Sequence, residues 1–418
     1  MAFSQLIRMP ITRHAQQAAN GTKSLVSLMH KYGMTPTMGG RYQRDHNRAL
    51  VIRRDDGTSV PVPAEDWQND IYYTSECSIG TPGQKFNLIF DSGSADFWVW
   101  STLLSDDILA IGRAEGTAIF DPAQSSTFQD VPDSKWRIRY GDQSSAGGKV
   151  GTDNVLIGNI MVENQTIELA DRMSDSLVQQ NGTHGLLGLA FSVLNTVVPI
   201  PANTPLDNMI AQKDIPVDQS LFTVYLGSYK DVNDPDKGQS FYTFGAIDES
   251  VVQATGQQIT YVPVDNTRGF WEVNNPSFAV NGHVFGLTGN TAIMDTGTTL
   301  MLVSDQVCGA IYNTIPGAIY SRDHQGWLIP QSVTLEQLPE LSFSLGDKQF
   351  VIEKEHIRYG TAKQTDNGMV YGGIQSRGSL PFDIWGDTFF KCVYAVFDAG
   401  KMQFGAVQRV DPTQTTQT

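Results

Sequence analysis

Apolar residues fall along this chain in short runs, and the polar residues between them are those that make turns. Phe86 to Phe90, Phe97 to Trp100, Phe222 to Leu226, Ile259 to Val264 and Val393 to Phe397 are bounded by Gly, Asp, Asn, Ser and Pro, which is the pattern of half-buried strands. Three stretches carry helical spacing instead: Ser24 to Tyr32, Pro205 to Gln212 and Ser304 to Asn313. The pattern predicts a mostly β protein, largely antiparallel, with a few peripheral helices.

One run occurs twice. Asn87-Leu88-Ile89-Phe90-Asp91-Ser92-Gly93-Ser94-Ala95 is echoed by Thr291-Ala292-Ile293-Met294-Asp295-Thr296-Gly297-Thr298-Thr299. Each copy is an apolar strand ending in Asp, a small hydroxyl residue, Gly and another hydroxyl residue. An apolar pair and a Gly follow each copy, as Leu186-Leu187-Gly188 and Ile384-Trp385-Gly386, with Gly-to-Gly separations of 95 and 89 residues. Two turns in the same order at similar spacing predict two related lobes. The expected division is a leader at 1–59, an N-terminal lobe at 60–254 and a C-terminal lobe at 255–418.

A length of 418 residues suits two lobes better than one core. No stretch approaches the roughly 18 uninterrupted apolar residues of a membrane span, so no membrane partner is expected. The net charge of -15 hides an asymmetry: residues 1 to 60 carry +6 and the remainder -21. A basic arm on an acidic body favours docking within the molecule over nucleic-acid binding, because the body repels phosphates and the arm lacks dense Lys/Arg clusters.

Met1 to Arg8 contains no apolar core of the length of a secretory signal. The expectation is an intracellular protein, or a secreted or vacuolar one whose signal is missing from this sequence. Sequons at Asn20, Asn164 and Asn181 permit glycosylation without settling the compartment. Cys77, Cys308 and Cys392 are odd in number and far apart, so buried free thiols are expected rather than a disulfide framework or a metal site.

A single Asp-Thr-Gly or Asp-Ser-Gly is usually only a turn. A matched pair brings two carboxylates together, and neighbouring carboxylates do not both ionise cheaply, so one keeps a proton while the other acts as a base. Such a pair activates water against an amide with neither metal nor cofactor. Ser92 and Thr296 are placed to brace the opposite turn, Gly93 and Gly297 offer unobstructed N–H groups, and Ser94 and Thr298 can bond the outer carboxylate oxygens.

At these residues the sequence resembles the pepsin-like aspartic endopeptidases over nearly its whole length. Asp91 to Val99 is similar to the family's first active-site motif, Asp295 to Thr299 to its second, and Ile79 to Gln84 to the hairpin before the first. Gly185 to Phe191, Gly269-Phe270-Trp271 and Gly373 to Ser376 resemble the fungal branch. The resemblance implies the bilobal pepsin-like fold, peptide-bond hydrolysis at acid pH, polypeptide substrates, a monomer, and Asp91 and Asp295 as the catalytic pair. Trp136 to Asp142 resembles the flap over the substrate, with Tyr140, Gly141, Asp142, Trp98 and Leu186 as flap and substrate-binding positions. An acid at Asp142 implies tolerance of Lys beside the scissile bond.

Within the leader, Leu6 to Arg13 resembles the first strand of the family's pro-segment, and Lys31-Tyr32 its inhibitory Lys-Tyr pair. The implied protein is a zymogen: acid neutralises body carboxylates, charges His14, His30 and His46, and frees the leader for cleavage near Thr58 to Pro63. The sequence also departs from the family pattern. The disulfide of the C-terminal lobe would fall near Pro330-Gln331 and Val370, where no Cys stands, and His184 replaces an Asp common in fungal relatives. The competing reading is a non-catalytic binding or inhibitor protein on the same fold.

Overall fold

The computed structural model describes residues 6–13, 21–38, 42–44, 50–53, 59–61, 73–139, 145–174, 178, 184–228, 239–322, 324–360 and 368–410. The molecule is mostly β, as the hydrophobic pattern predicts, and the short apolar runs form strands because alternate residues find a core. In Gln84–Asp91 the side chains of Phe86, Leu88 and Phe90 are buried while Asn87 and Ile89 between them are only half-buried. Among the described residues no helix is long and apolar enough to cross a membrane.

The largest sheet has thirteen strands and draws on both ends of the chain. Val393–Asp398 pairs with Gln403–Gln408 on one side and with Leu221–Tyr225 on the other. Further along, the leader strand Met9–Arg13 sits between Phe241–Phe244 and Tyr73–Ile79. Five-, four-, three- and four-stranded sheets complete the β-structure.

The repeated turns lie in matching frameworks. In the first half, Gln84–Asp91 runs parallel to Gly185–Gly188, which is antiparallel to Phe97–Trp100, which in turn is parallel to Ile160–Met173. In the second, Thr291–Met294, Asp383–Trp385, Met301–Val303 and Ile374–Ser376 repeat that order and those directions. Gly188 and Gly386 let the backbones cross: a Cβ on Gly188 would lie 2.6 Å from Ala95 Cα, and one on Gly386 would overlap the Thr298 carbonyl. The halves also bond to each other, Trp271 Nε1 donating to the Leu189 carbonyl at 2.8 Å.

The helix Pro205–Gln212 forms where its spacing predicts, with Pro205 in its first turn. A capping box joins Thr204 and Asp207, their paired bonds 3.3 and 3.2 Å. The C-terminal candidate is Asp305–Tyr312, capped by Ser304. The leader helix begins earlier than its spacing predicts and spans Gly21–Lys31. Among the described residues three helices escape the periodic reading, Asp106–Ala114, Glu249–Thr255 and the single turn Asp387–Phe390. The first has an apolar face, through Ile108, Leu109 and Ile111, but buries only Leu109 and Gly112; the second is short, and its caps Asp248 and Gly256 are the legible signal.

All three cysteines are free and buried. Where the family pattern has its disulfide, Gly326–Pro330 pairs with Met369–Gly372, bringing Ile329 opposite Val370, and Gln331 N–H donates to the Gly368 carbonyl at 2.8 Å. Ladder hydrogen bonds and packing hold the place of the missing link.

Candidate active site

Each repeated turn ends a buried strand, and that strand fixes where its Asp points. Asp91 and Asp295 are both essentially inaccessible. Ser92 Oγ donates to the Met294 carbonyl at 2.8 Å and Thr296 Oγ1 to the Phe90 carbonyl at 2.7 Å, each hydroxyl also accepting the other turn's N–H at 2.9 and 3.0 Å. This reciprocal clasp locks the two turns face to face. A Cβ on Gly93 would fall 2.5 Å from Asp295 Cγ, and one on Gly297 would overlap Asp91 Oδ1, so only glycine admits so close an approach.

The carboxylates are held from the other side too. Gly93 N–H donates to Asp91 Oδ1 at 2.8 Å and Gly297 N–H to Asp295 Oδ1 at 2.9 Å. Ser94 Oγ donates to Asp91 Oδ2 at 2.6 Å, and Thr298 Oγ1 donates to Asp295 Oδ2. Four donors on two carboxylates orient both and favour the charged form.

The leader enters this site. Lys31 Nζ lies 2.9 and 3.1 Å from the oxygens of Asp91 and 3.2 and 2.9 Å from those of Asp295, and Tyr32 Oη donates to Asp295 Oδ2. Burial opposes the Lys31 charge, but the two carboxylates prevail and raise its pKa. Burial pushes Asp91 up to about 6 against the pull of Lys31. For Asp295 burial also acts upward, but Lys31, Asp91, Thr298 and Tyr32 together bring it down to about 2. The two carboxyls titrate as a coupled pair, and the proton they hold belongs to both.

Leu25, Leu28, Met29 and Met34 of the leader share a buried cluster with Ile293, Leu300, Leu302, Phe382 and Ile384, so apolar packing aims the ammonium. Arg8 anchors the far end, its Nε 2.6 Å from the buried Asp248.

Within the stretch Leu6 to Arg13 that resembles a pro-segment's first strand, the leader supplies a strand, Met9–Arg13, to the middle of the main sheet. Tyr140, Gly141 and Asp142 lie outside the described residues, as do His14, His46 and the His30 side chain. The flanking strands, Gln129–Arg139 and Ser145–Ile157, pair antiparallel up to Arg139 opposite Ser145. Trp98 stacks on Trp136 with centroids 6.1 Å apart, and half-buried Leu186 packs on the same cluster. His184 is structural: its Nδ1 accepts from Asn87 N–H at 2.9 Å. At the expected cleavage region only Ser59–Pro61 is described, as a strand against Leu50–Arg53.

The family model for eukaryotic aspartyl protease matches residues 72–408. This chain belongs to the eukaryotic aspartyl protease family. Endothiapepsin of Cryphonectria parasitica is 34% identical over 386 residues, covering 92% of this chain and 86% of the relative. Aspergillopepsin-1 of Aspergillus fumigatus is 35% identical over 384 residues, covering 92% and 88%, and that of Aspergillus oryzae 36% identical over 348, covering 82% and 80%. The relatives are fungal pepsin-like proteases, and this aspartyl protease is an aspartic-type endopeptidase of the same bilobal fold.

Proposed function

We propose that this aspartyl protease is made as a zymogen in which residues 1–59 block the cleft between lobes at 60–254 and 255–418, and that Asp91 and Asp295 hydrolyse peptide bonds once the leader withdraws. The observation that carries this reading is the Lys31 ammonium within 3.2 Å of all four carboxylate oxygens. It occupies the place where a water held by both carboxylates would attack.

In the active enzyme the ionised carboxylate takes a proton from that water, whose oxygen attacks the amide carbon. The protonated partner donates to the carbonyl oxygen, and the resulting diol collapses as a proton passes to the leaving nitrogen. Ser94, Thr298 and the two glycine N–H groups keep the carboxylates in plane throughout. Tyr140, Gly141 and Asp142 would close over the substrate, with Trp98 and Leu186 lining its site, and the enzyme would act as a monomer.

The pH switch follows from the same charges. Asp295 is depressed by the leader, so its share of the docking energy is present above the ordinary carboxylate range and lost as pH falls toward about 2. Lys31 keeps its charge throughout that range, so acidification weakens the lock from the carboxylate side alone. Acid incubation of the full chain with a denatured protein, with and without pepstatin, tests the reading. Pepstatin-sensitive cleavage supports it, and cleavage that persists undiminished in Asp91→Asn sinks it. Asp142→Ala should reduce cleavage beside Lys more than beside large apolar residues.

A further inference from the structure

Next to the first catalytic turn two further acids, Asp96 and Glu168, lie in the core, and none of the hydrogen bonds they accept among the described residues comes from a cation. Asp96 and Glu168 are each 1% exposed. Glu168 Oε1 accepts from Asn195 Nδ2 at 2.8 Å, and Asp96 Oδ1 accepts from Thr196 N–H at 2.7 Å. The second Glu168 oxygen, Oε2, is buried without a well-aligned hydrogen bond among the described residues; its carboxyl faces that of Asp96 and the Phe97 N–H.

The surroundings offer nothing to neutralise two charges. The strand Phe97–Trp100 and residues 185–203 contain no titratable side chain. On Ser145–Ile157 the partner opposite Glu168 is Val150, Lys149 points to solvent, and Asp153 accepts from Thr127. Burial, then the neighbouring carboxyl, raises Glu168 well above its usual range, and burial raises Asp96 to about 6.

We infer that Asp96 and Glu168 share one proton and act as positioning residues for the first catalytic turn, which loosens when the second carboxyl ionises. The mechanical link is short. The Asp96 carbonyl accepts Gly188 N–H at 2.9 Å, the Ser94 carbonyl accepts Ala190 N–H at 2.9 Å, and the Asp91 carbonyl accepts Leu189 N–H at 2.8 Å. Asn195 ties Glu168 to the Ala95 carbonyl at 3.1 Å and to Ala202 N–H at 2.8 Å. Two carboxylates in this dry space would repel across the connections that hold Asp91 in register. Because the folded state holds protons the unfolded chain would release, stability falls as pH rises from the ordinary carboxylate range through the raised values.

The turn is catalytic on the reading above, but the test does not need activity. Amide exchange is followed from pH 4.5 to 8 on the full chain, after correction for intrinsic rates. Protection at Gly188, Leu189 and Ala190 should fall with rising pH while that of Asp387, the matching amide on the Thr298 carbonyl, holds. Glu168→Gln, which keeps a donor toward Asp96 and removes one charge, leaves no second carboxyl to ionise and should abolish that fall. Should Glu168→Gln fail to fold, Asp96→Asn removes the charge from the other side and should abolish it likewise. Protection lost equally in both halves of the wild-type chain, or a fall that persists unchanged in the variants, overturns the inference.

Discussion

Gln84–Asp91, Gly185–Gly188 and Phe97–Trp100 are matched strand for strand by Thr291–Met294, Asp383–Trp385 and Met301–Val303, yet the two frameworks manage buried charge in opposite ways. The second half pairs Asp383 with Arg377 Nη1 at 2.6 Å and adds Asn290 Nδ2 at 2.8 Å. The first half sets Asp96 against another acid. A duplicated backbone thus tolerates two electrostatic solutions, one by a counter-ion and one by a proton. The leader divides the halves as well: its helix packs on the second-half cluster, while its strand enters the main sheet between Tyr73–Ile79 and Phe241–Phe244.

The comparison breaks first at the catalytic pair if the halves are unequal. Asp91→Asn and Asp295→Asn should each reduce peptide hydrolysis by about a thousandfold, measured on an unfolded protein at acid pH; one variant far more active than the other would end the symmetry. Next comes the buried charge. Arg377→Met should cost about 3–5 kcal/mol by urea unfolding at pH 7, because it strands Asp383 without a cation. The cost should shrink toward pH 4.5, since Asp383, raised by burial to about 6, then takes up a proton. Glu168→Gln, by contrast, should cost about 1 kcal/mol or less at either pH.

Lys31→Met sharpens the role of the leader. It should let the leader be cut at a pH about one to two units higher than in the wild-type chain, read by the mass of the acid-treated protein, because two carboxylates then face an apolar side chain and docking weakens before they are protonated. The smallest effects should come from Ser94→Ala and Thr298→Ala. Each removes one donor to a carboxylate and should reduce turnover by about tenfold, with the pH dependence of activity displaced upward as the charged form loses support.

The strands and the paired Asp turns were legible because their determinants are local. Alternation of Phe86, Leu88 and Phe90 needs only a core on one side, and Asp91-Ser92-Gly93 and Asp295-Thr296-Gly297 are contiguous. Asp96, Glu168 and Asn195 are separated by 72 and 27 residues, and only Asp96 stands in a motif, so nothing along the chain announces that they share one pocket. Arg377 and Asp383 are closer in sequence but read as ordinary surface charges until the fold buries them. The helix Asp106–Ala114, by contrast, was legible and overlooked: Asp106 and Asp107 open it, Arg113 closes it, and Ile108, Leu109 and Ile111 give it an apolar side.

The sequence by itself determined a duplicated, mostly β architecture with an Asp turn in each half and a basic leader of opposite charge to the body. Those properties are written in neighbouring residues and in composition. Tertiary structure alone decided the reciprocal geometry by which Ser92 and Thr296 clasp across the two turns, that Lys31 touches all four carboxylate oxygens at once, and that an acid pair lies behind Asp91. Each depends on groups distant in the chain meeting where water is excluded, and it is that exclusion which turns ordinary carboxyl groups into coupled ones.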